Sequence, residues 1–167
     1  WDGNIYTPLG AKYAVINSLT GAGVTTDAPA GVFASHNGYL WRAGKNLIYY
    51  TRDGSTWSSP IRIGSNDYAV RGLVGMDNNM YAPNDEGLFY ITDGDLPRGI
   101  TPWNTYTTEQ MRAVNHQGAV YVPVGGRILR YTSDGGMLDV WVKPEDEAPS
   151  QLTAPPRMLA ALNQWLL

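Results

Sequence analysis

Three arginines recur at similar places along the chain and could together hold a carboxylate. Arg71, Arg112 and Arg157 each stand just before a segment rich in small residues, 41 and 45 positions apart. A planar guanidinium binds a carboxylate through two parallel hydrogen bonds, so three of them on one surface form an anion clamp. The competing interpretation is repeat inheritance, in which one ancestral arginine was copied and bonds neighbouring carbonyl groups.

Other residue types with chemical potential lack the partners that a reaction would need. His36 and His116 are a poor zinc constellation without cysteine or a fixed carboxylate, and we expect both to be exposed turn residues. Asp93–Asp95 and Glu145–Glu147 lack the alternating oxygen ligands of a calcium loop. No carboxylate pair, nucleophile elbow or phosphate loop is evident, so we predict no cofactor, no metal and no catalytic residues. The sequence leaves enzymatic activity open and favours its absence.

Bulk composition limits the classes of protein to which the chain can belong. Its 167 residues, 43% of them hydrophobic, predict one domain, and a net charge of -3 argues against nucleic acid as a partner. The sequence contains no cysteine, no apolar run as long as a membrane span, and no signal-peptide pattern at its start. Its 19 Gly, 11 Pro, 11 Tyr and 6 Trp favour strands and turns.

A repeat of about 40 residues organises these strands. Its aromatic anchors Trp41, Tyr81 and Tyr121 are 40 residues apart, and each ends a strand, polar turn, strand unit. A glycine-containing turn, a third strand and an Asp-Gly turn follow each anchor, with Leu47 aligned to Leu88 and Ile128. Four strands per repeat predict an all-β fold, a β-propeller of about four four-stranded blades, with small residues on the inner strands nearest the axis.

The two ends of the chain look complementary. Residues 2–8 match the turn and second strand of a unit, whereas residues 157–164 match an inner strand and turn. We therefore expect Met158–Leu162 to pair beside Asn4–Pro8 and close a single domain, with units at 1–29 plus 156–167, 30–69, 70–110 and 111–155. The alternatives are that the chain is part of a larger propeller, or that residues 156–167 form a helix.

The turn Tyr50-Thr-Arg-Asp-Gly-Ser-Thr-Trp57 resembles the Asp-box hairpin of sialidase-like propellers, although it is one residue short. Tyr131–Gly136 is similar but lacks the Thr-Trp pair, and Thr92–Gly94 is more degenerate. The resemblance implies a propeller fold and a structural role for the Asp-box carboxylate. The style of the sequence also resembles phage tail and fibre proteins, secreted glycosidases and lectins.

These observations lead to one functional hypothesis and one alternative. The first is a non-catalytic structural or binding module, extracellular or virion-associated, whose partners are other protein subunits or a cell-surface glycan; oligomer formation stays open, and no membrane insertion is expected. The alternative is a lectin or part of an Asp-box glycoside hydrolase. The expected binding residues lie at the channel mouth: Arg71, Arg112, Arg157, Arg42 and Arg127, with Lys45, Asp85 and Glu86 nearby. Trp57, Trp103 and Trp141 are candidates for stacking on sugars, or for packing between blades.

Overall fold

The computed structural model describes residues 3–9, 12–17, 19–26, 31–92, 96–102, 112–124, 127–142, 161–162 and 165–166. These residues form seventeen strands and no helix, which confirms the all-β prediction. Neighbouring strands are antiparallel and follow chain order within each sheet. Consequently, no helix of the described residues is long and apolar enough to cross a membrane.

The strands group into four sheets and a short hairpin. Sheet I contains β1 (Asn4–Leu9), β2 (Lys12–Asn17) and β3 (Gly23–Thr26). Sheet II contains β4 (Val32–His36), β5 (Tyr39–Gly44), β6 (Leu47–Thr51) and β7 (Ile61–Arg62). Sheet III contains β8 (Val74–Met76), β9 (Asn79–Pro83), β10 (Gly87–Thr92) and β11 (Arg98–Pro102). Sheet IV contains β12 (Val114–His116), β13 (Ala119–Val124), β14 (Arg127–Thr132) and β15 (Gly136–Val142), and the C-terminal hairpin contains β16 (Ala161–Leu162) and β17 (Trp165–Leu166).

Sheet III shows why the strands are apolar on both faces. Successive side chains of a strand point to opposite faces, so Met80 and Ala82 join one core while Tyr81 joins another. The first core is shared with sheet II through residues such as Trp41, and the second with sheet IV through residues such as Val122. Sheets II, III and IV therefore stack face to face, with a core in each interface.

The inner strands follow one another around the array, β4 against β8, β8 against β12 and β12 against β16. Gly75 on β8 leaves no room for a side chain, because a Cβ atom there would lie 2.1 Å from Cγ of His36. The amide of Asn115 on β12 donates to the carbonyl of the same glycine at 3.0 Å. The crowding predicted for small inner-strand residues is thus present at this position.

The strand ladders correct one detail of the repeat alignment. Leu47 pairs with Gly44, and Arg127 occupies the same ladder position opposite Val124. In sheet III this position belongs to Gly87, whose carbonyl accepts from the amide of Asn84 at 3.0 Å. Leu47 therefore corresponds to Gly87 rather than Leu88, because the β9–β10 turn holds one more closing pair than the alignment assumed.

The predicted closure is not made by the described part of the C-terminal segment. Ala161 and Leu162 pair with Leu166 and Trp165, and within the described residues β1 pairs only with β2. Since β16 follows β12 in the row of inner strands, it occupies the place of an inner strand beyond sheet IV. The helix alternative is also wrong for residues 161–162 and 165–166, while Met158 to Ala160 lie outside the described residues.

Candidate functional site

Antiparallel topology brings the predicted arginines to one end of the sheets. The first strand of each four-stranded sheet begins at the end where its second strand turns into its third. The segment that links sheets II and III, residues 63–73, lies at this same end, which we call the connection end. Arg71 precedes β8, Arg112 precedes β12 and Arg127 begins β14, so all three belong to it.

Arg71 is engaged within the protein. Its Nη2 atom donates to Oδ2 of Asp85 at 2.9 Å, and the Asp85 side chain is only 5% exposed. The backbone amide of Arg71 donates to the carbonyl of Pro83 at 2.8 Å. Arg71 is therefore tied at both backbone and side chain to the β9–β10 turn of its own sheet.

Glu86 links this turn to the preceding connection. Its Oε2 accepts the backbone amide of Ser65 at 2.8 Å, and the amide of Glu86 itself donates to Oδ1 of Asn84 at 2.8 Å. The adjacent Gly64 has a φ of 58°, in the left-handed region. A Cβ atom at Gly64 would lie 1.8 Å from Oε2 of Glu86, so the contact requires glycine there.

The opposite side of the connection is held by sheet II. The amide of Val70 donates to the carbonyl of Lys45, and that of Ile63 to the carbonyl of Asn46, each at 2.8 Å. The side-chain amide of the buried Asn46 donates to the carbonyl of Ser65 at 3.0 Å. Contacts with the turns of two successive sheets thus fix the backbone that leads to Arg71.

Arg112 and Arg127 are exposed, in contrast to Arg71. They stand on the two strands that flank β13, at the connection end of sheet IV. Arg157 lies outside the described residues, so three arginines are not placed around one point. The binding roles of these arginines remain predictions.

Arg42 occupies a different environment from the one predicted at the channel mouth. It is buried between sheets I and II, with its guanidinium carbon 4.3 Å from the ring centre of Tyr49, 4.5 Å from that of Trp57 and 5.4 Å from that of Tyr13. Burial lowers the pKa of Arg42, and the nearby tyrosines oppose that shift. Cation–π stacking explains how a charge is accommodated in this interface.

The signal for this burial was present in the sequence. Arg42 falls on the same face of β5 as the buried Leu40, and its ladder equivalents 40 and 80 residues later are the buried Ala82 and Val122. The position is therefore a core position of the repeat, at which this sheet carries an arginine.

Two aromatic predictions resolve in different ways. Trp57 packs against Tyr13, with ring centres 6.2 Å apart, so it serves packing between sheets as one of the two interpretations proposed. Trp103 and the side chain of Trp141 lie outside the part of the chain that the structure describes.

The two histidines are less exposed than expected from turn residues. His116 ends β12, is 8% exposed, and its ring centre lies 6.3 Å from that of Tyr121. Nε2 of His36 lies 2.8 Å from the carbonyl oxygen of Asp77 in the next sheet. Among the described residues no three His, Cys, Asp or Glu side chains are grouped to hold a metal ion; 93–95 and 145–147 are outside that range.

The turn after β6 is organised by one carboxylate. Oδ1 of Asp53 accepts the amides of Ser55 and Thr56 at 2.8 and 2.7 Å and the hydroxyl of Thr51 at 2.9 Å. These hydrogen bonds favour the charged form and hold the pKa of Asp53 well below its usual range. This turn is at the opposite end of sheet II from the connection end.

Comparison with known proteins adds the fold class. No protein-family model matches the chain, and neither does any curated protein. Among solved structures, a catalytically inactive virginiamycin B lyase from Staphylococcus aureus with quinupristin is similar at a TM-score of 0.70 and 16% identity, over 95% of this chain and 56% of that one. The extracellular domain of a one-component system from B. thetaiotaomicron is similar at a TM-score of 0.67 and 16% identity, over 84% of this chain and 21% of that one.

A streptogramin B lyase is similar at a TM-score of 0.62 and 12% identity, over 87% of this chain and 56% of the lyase. At such identities the likeness shows the fold alone. The chain spans about half the length of the lyases and about a fifth of the sensor domain. Together with the stacked four-stranded sheets, these similarities confirm the prediction of a β-propeller domain.

Proposed function

We propose that this chain is a non-catalytic binding module of an extracellular or virion-associated protein, of the kind found in phage tails and fibres. The connection end attaches it to an acidic cell-surface glycan, with Arg112 and Arg127 as the anion-binding residues. The extracellular origin of one structural neighbour supports the proposed location.

One comparison within the repeat carries the proposal. Arg71 is paired with Asp85, and the ladder position equivalent to Asp85 in sheet IV is Gly125. The arginine was therefore repeated in sheet IV without the carboxylate that holds it in sheet III. Simple inheritance of a structural ion pair explains Arg71 but not Arg112.

The positions of the two arginines suit an anionic ligand. Both are exposed, and they approach the connection end from either side of β13. A guanidinium has five N–H donors, so an arginine that bonds within the protein still has donors for a carboxylate. Because neighbouring connections are fixed by hydrogen bonds, little ordering free energy is needed on binding.

A glycan array with matched sialylated and neutral glycans tests this proposal. We expect binding to the acidic glycans only, weakened at least about tenfold in the double variant Arg112→Gln/Arg127→Gln, since a hydrogen bond to a charged group contributes about 1.5–3 kcal/mol. Arg98→Gln, an exposed arginine on the outer strand β11, is the matched control and should bind normally.

A second variant tests the argument from the repeat. Gly125→Asp restores a carboxylate at the position equivalent to Asp85, and we expect it to engage Arg112 and reduce glycan binding. Equal binding by all variants would contradict the assignment of the arginines. Hydrolysis of a fluorogenic sialoside that is lost in Arg112→Ala would contradict the non-catalytic role and favour the glycoside hydrolase alternative. Binding of an acidic protein subunit but of no glycan would replace the proposed partner.

A further inference from the structure

The outer strands of sheets II, III and IV all carry features that discourage pairing with another strand. β7 has only two residues, follows Pro60 and ends at Arg62. β11 begins with Arg98, ends with Pro102, and pairs with β10 through a register shift. β15 contains Asp139 and also pairs through a register shift. Short length, charge, proline and bulges are the means by which proteins protect sheet edges.

β3, the outer strand of sheet I, has none of these features. Its sequence Gly-Val-Thr-Thr has no charge and no proline, and its ladder to β2 runs from Tyr13–Thr26 to Ile16–Gly23 without a shift. Residues 23–25 are exposed, and Val24 is 68% exposed. Within the described residues β3 pairs with β2 alone, so its outer edge presents backbone donors and acceptors to a further strand.

The hairpin that leads into β3 is already ordered. Oδ1 of Asn17 accepts the amides of Leu19 and Thr20 at 3.1 and 3.0 Å, and the amide of Asn17 donates to the carbonyl of Ala22 at 2.8 Å. This arrangement holds Leu19 at the tip with 92% of its side chain exposed. An exposed leucine on a fixed turn beside an unprotected edge can be buried by a partner at a low entropy cost.

We propose that β3 pairs with β3 of a second copy of this chain, as an antiparallel, two-fold symmetric addition of strand to strand. Self-pairing places like residues near one another, which penalises charged edges. An uncharged edge on a chain of net charge -3 avoids this penalty. A two-fold axis between Val24 and Thr25 would set each valine opposite the threonine of the second copy. β-Branched residues favour such cross-strand pairs.

Sedimentation equilibrium over micromolar to millimolar protein tests the pairing. One short strand buries far less than the roughly 1,000 Å² of a stable interface, so we expect a weak, concentration-dependent dimer. Val24→Lys should weaken the dimer at least about tenfold by placing like charges across the symmetric edge. Leu96→Lys, a substitution of a leucine that is 84% exposed and lies outside the strands, should leave it unchanged.

Cross-linking provides an independent measurement, since the natural sequence has no cysteine. Under mild oxidation Val24→Cys should give covalent dimers and Leu96→Cys should not. Thr25→Lys replaces Val24→Lys if thermal unfolding shows that the first variant is misfolded. A protein that stays monomeric at all concentrations, or a dimer that both lysine variants at β3 leave intact, would overturn the proposal. Pairing of β3 with another protein's strand in the absence of self-association would also overturn it.

Discussion

The contact between Gly64 and Glu86 predicts an unusually costly glycine substitution. In Gly64→Ala the new methyl group would enter the left-handed region, which costs about 1–2 kcal/mol for a residue with a Cβ atom. It would also meet Oε2 of Glu86 at 1.8 Å, so the carboxylate must move away from the amide of Ser65. A hydrogen bond to a charged group contributes about 1.5–3 kcal/mol, and the half-buried position of Glu86 favours the lower value. We therefore expect a loss of about 2–4 kcal/mol in unfolding free energy.

Thermal and urea unfolding of four variants separate these two effects. At about 2–4 °C per kcal/mol for a chain of this size, Gly64→Ala should lower the melting temperature by about 5–15 °C. Gly118→Ala is the matched control, because Gly118 has a φ of 72° but no atom within 4 Å of its ideal Cβ position. It should show the backbone cost of about 1–2 kcal/mol alone.

A double-mutant cycle measures the contact itself. In a Glu86→Ala background the obstructing carboxylate and its hydrogen bond are both gone, so Gly64→Ala should cost at least about 1 kcal/mol less than in the wild type. If Gly64→Ala costs no more than Gly118→Ala, or if the cycle shows no coupling, Glu86 does not fix the connection between sheets II and III.

Two further predictions concern the charges within sheet II. Arg42→Ala should destabilise the protein by about 2–4 kcal/mol through loss of packing against three aromatic rings, whereas Arg42→Met should recover most of this in urea unfolding, because a buried charge is replaced by an apolar chain of similar length; equal losses in both variants would contradict a mainly packing role. The depressed pKa of Asp53 implies stability that is present above its ordinary value of 3.8 and is lost as pH falls below it. The difference in melting temperature between wild type and Asp53→Asn should thus be constant from neutral pH to about pH 5 and shrink below about pH 4, while the exposed Asp67→Asn should give no such trend.

The repeat made the fold predictable, whereas the side-chain pairings needed the structure. Anchors 40 residues apart located the second strands, and the small inner-strand residues located the crowded region around Gly75. Sequence position alone placed Arg42 near the channel mouth, although the alternation along β5 turns it into the interface with sheet I. The ion pair between Arg71 and Asp85 joins residues 14 apart across a connection. Its geometry depends on how that connection folds, and no periodicity encodes it.

The same structure explains why repeated residues can have different roles in a propeller. Each sheet inherits its ladder positions, but the turns at the connection end change independently: Lys45 in sheet II, Asp85 in sheet III and Gly125 in sheet IV occupy one equivalent position. Hydrogen bonds from the connection to both neighbouring turns hold the backbone whatever the side chain at that position. The scaffold can therefore lose a carboxylate beside one arginine without losing its shape. By this reasoning sheet IV is the place where an inherited structural arginine becomes available to a ligand.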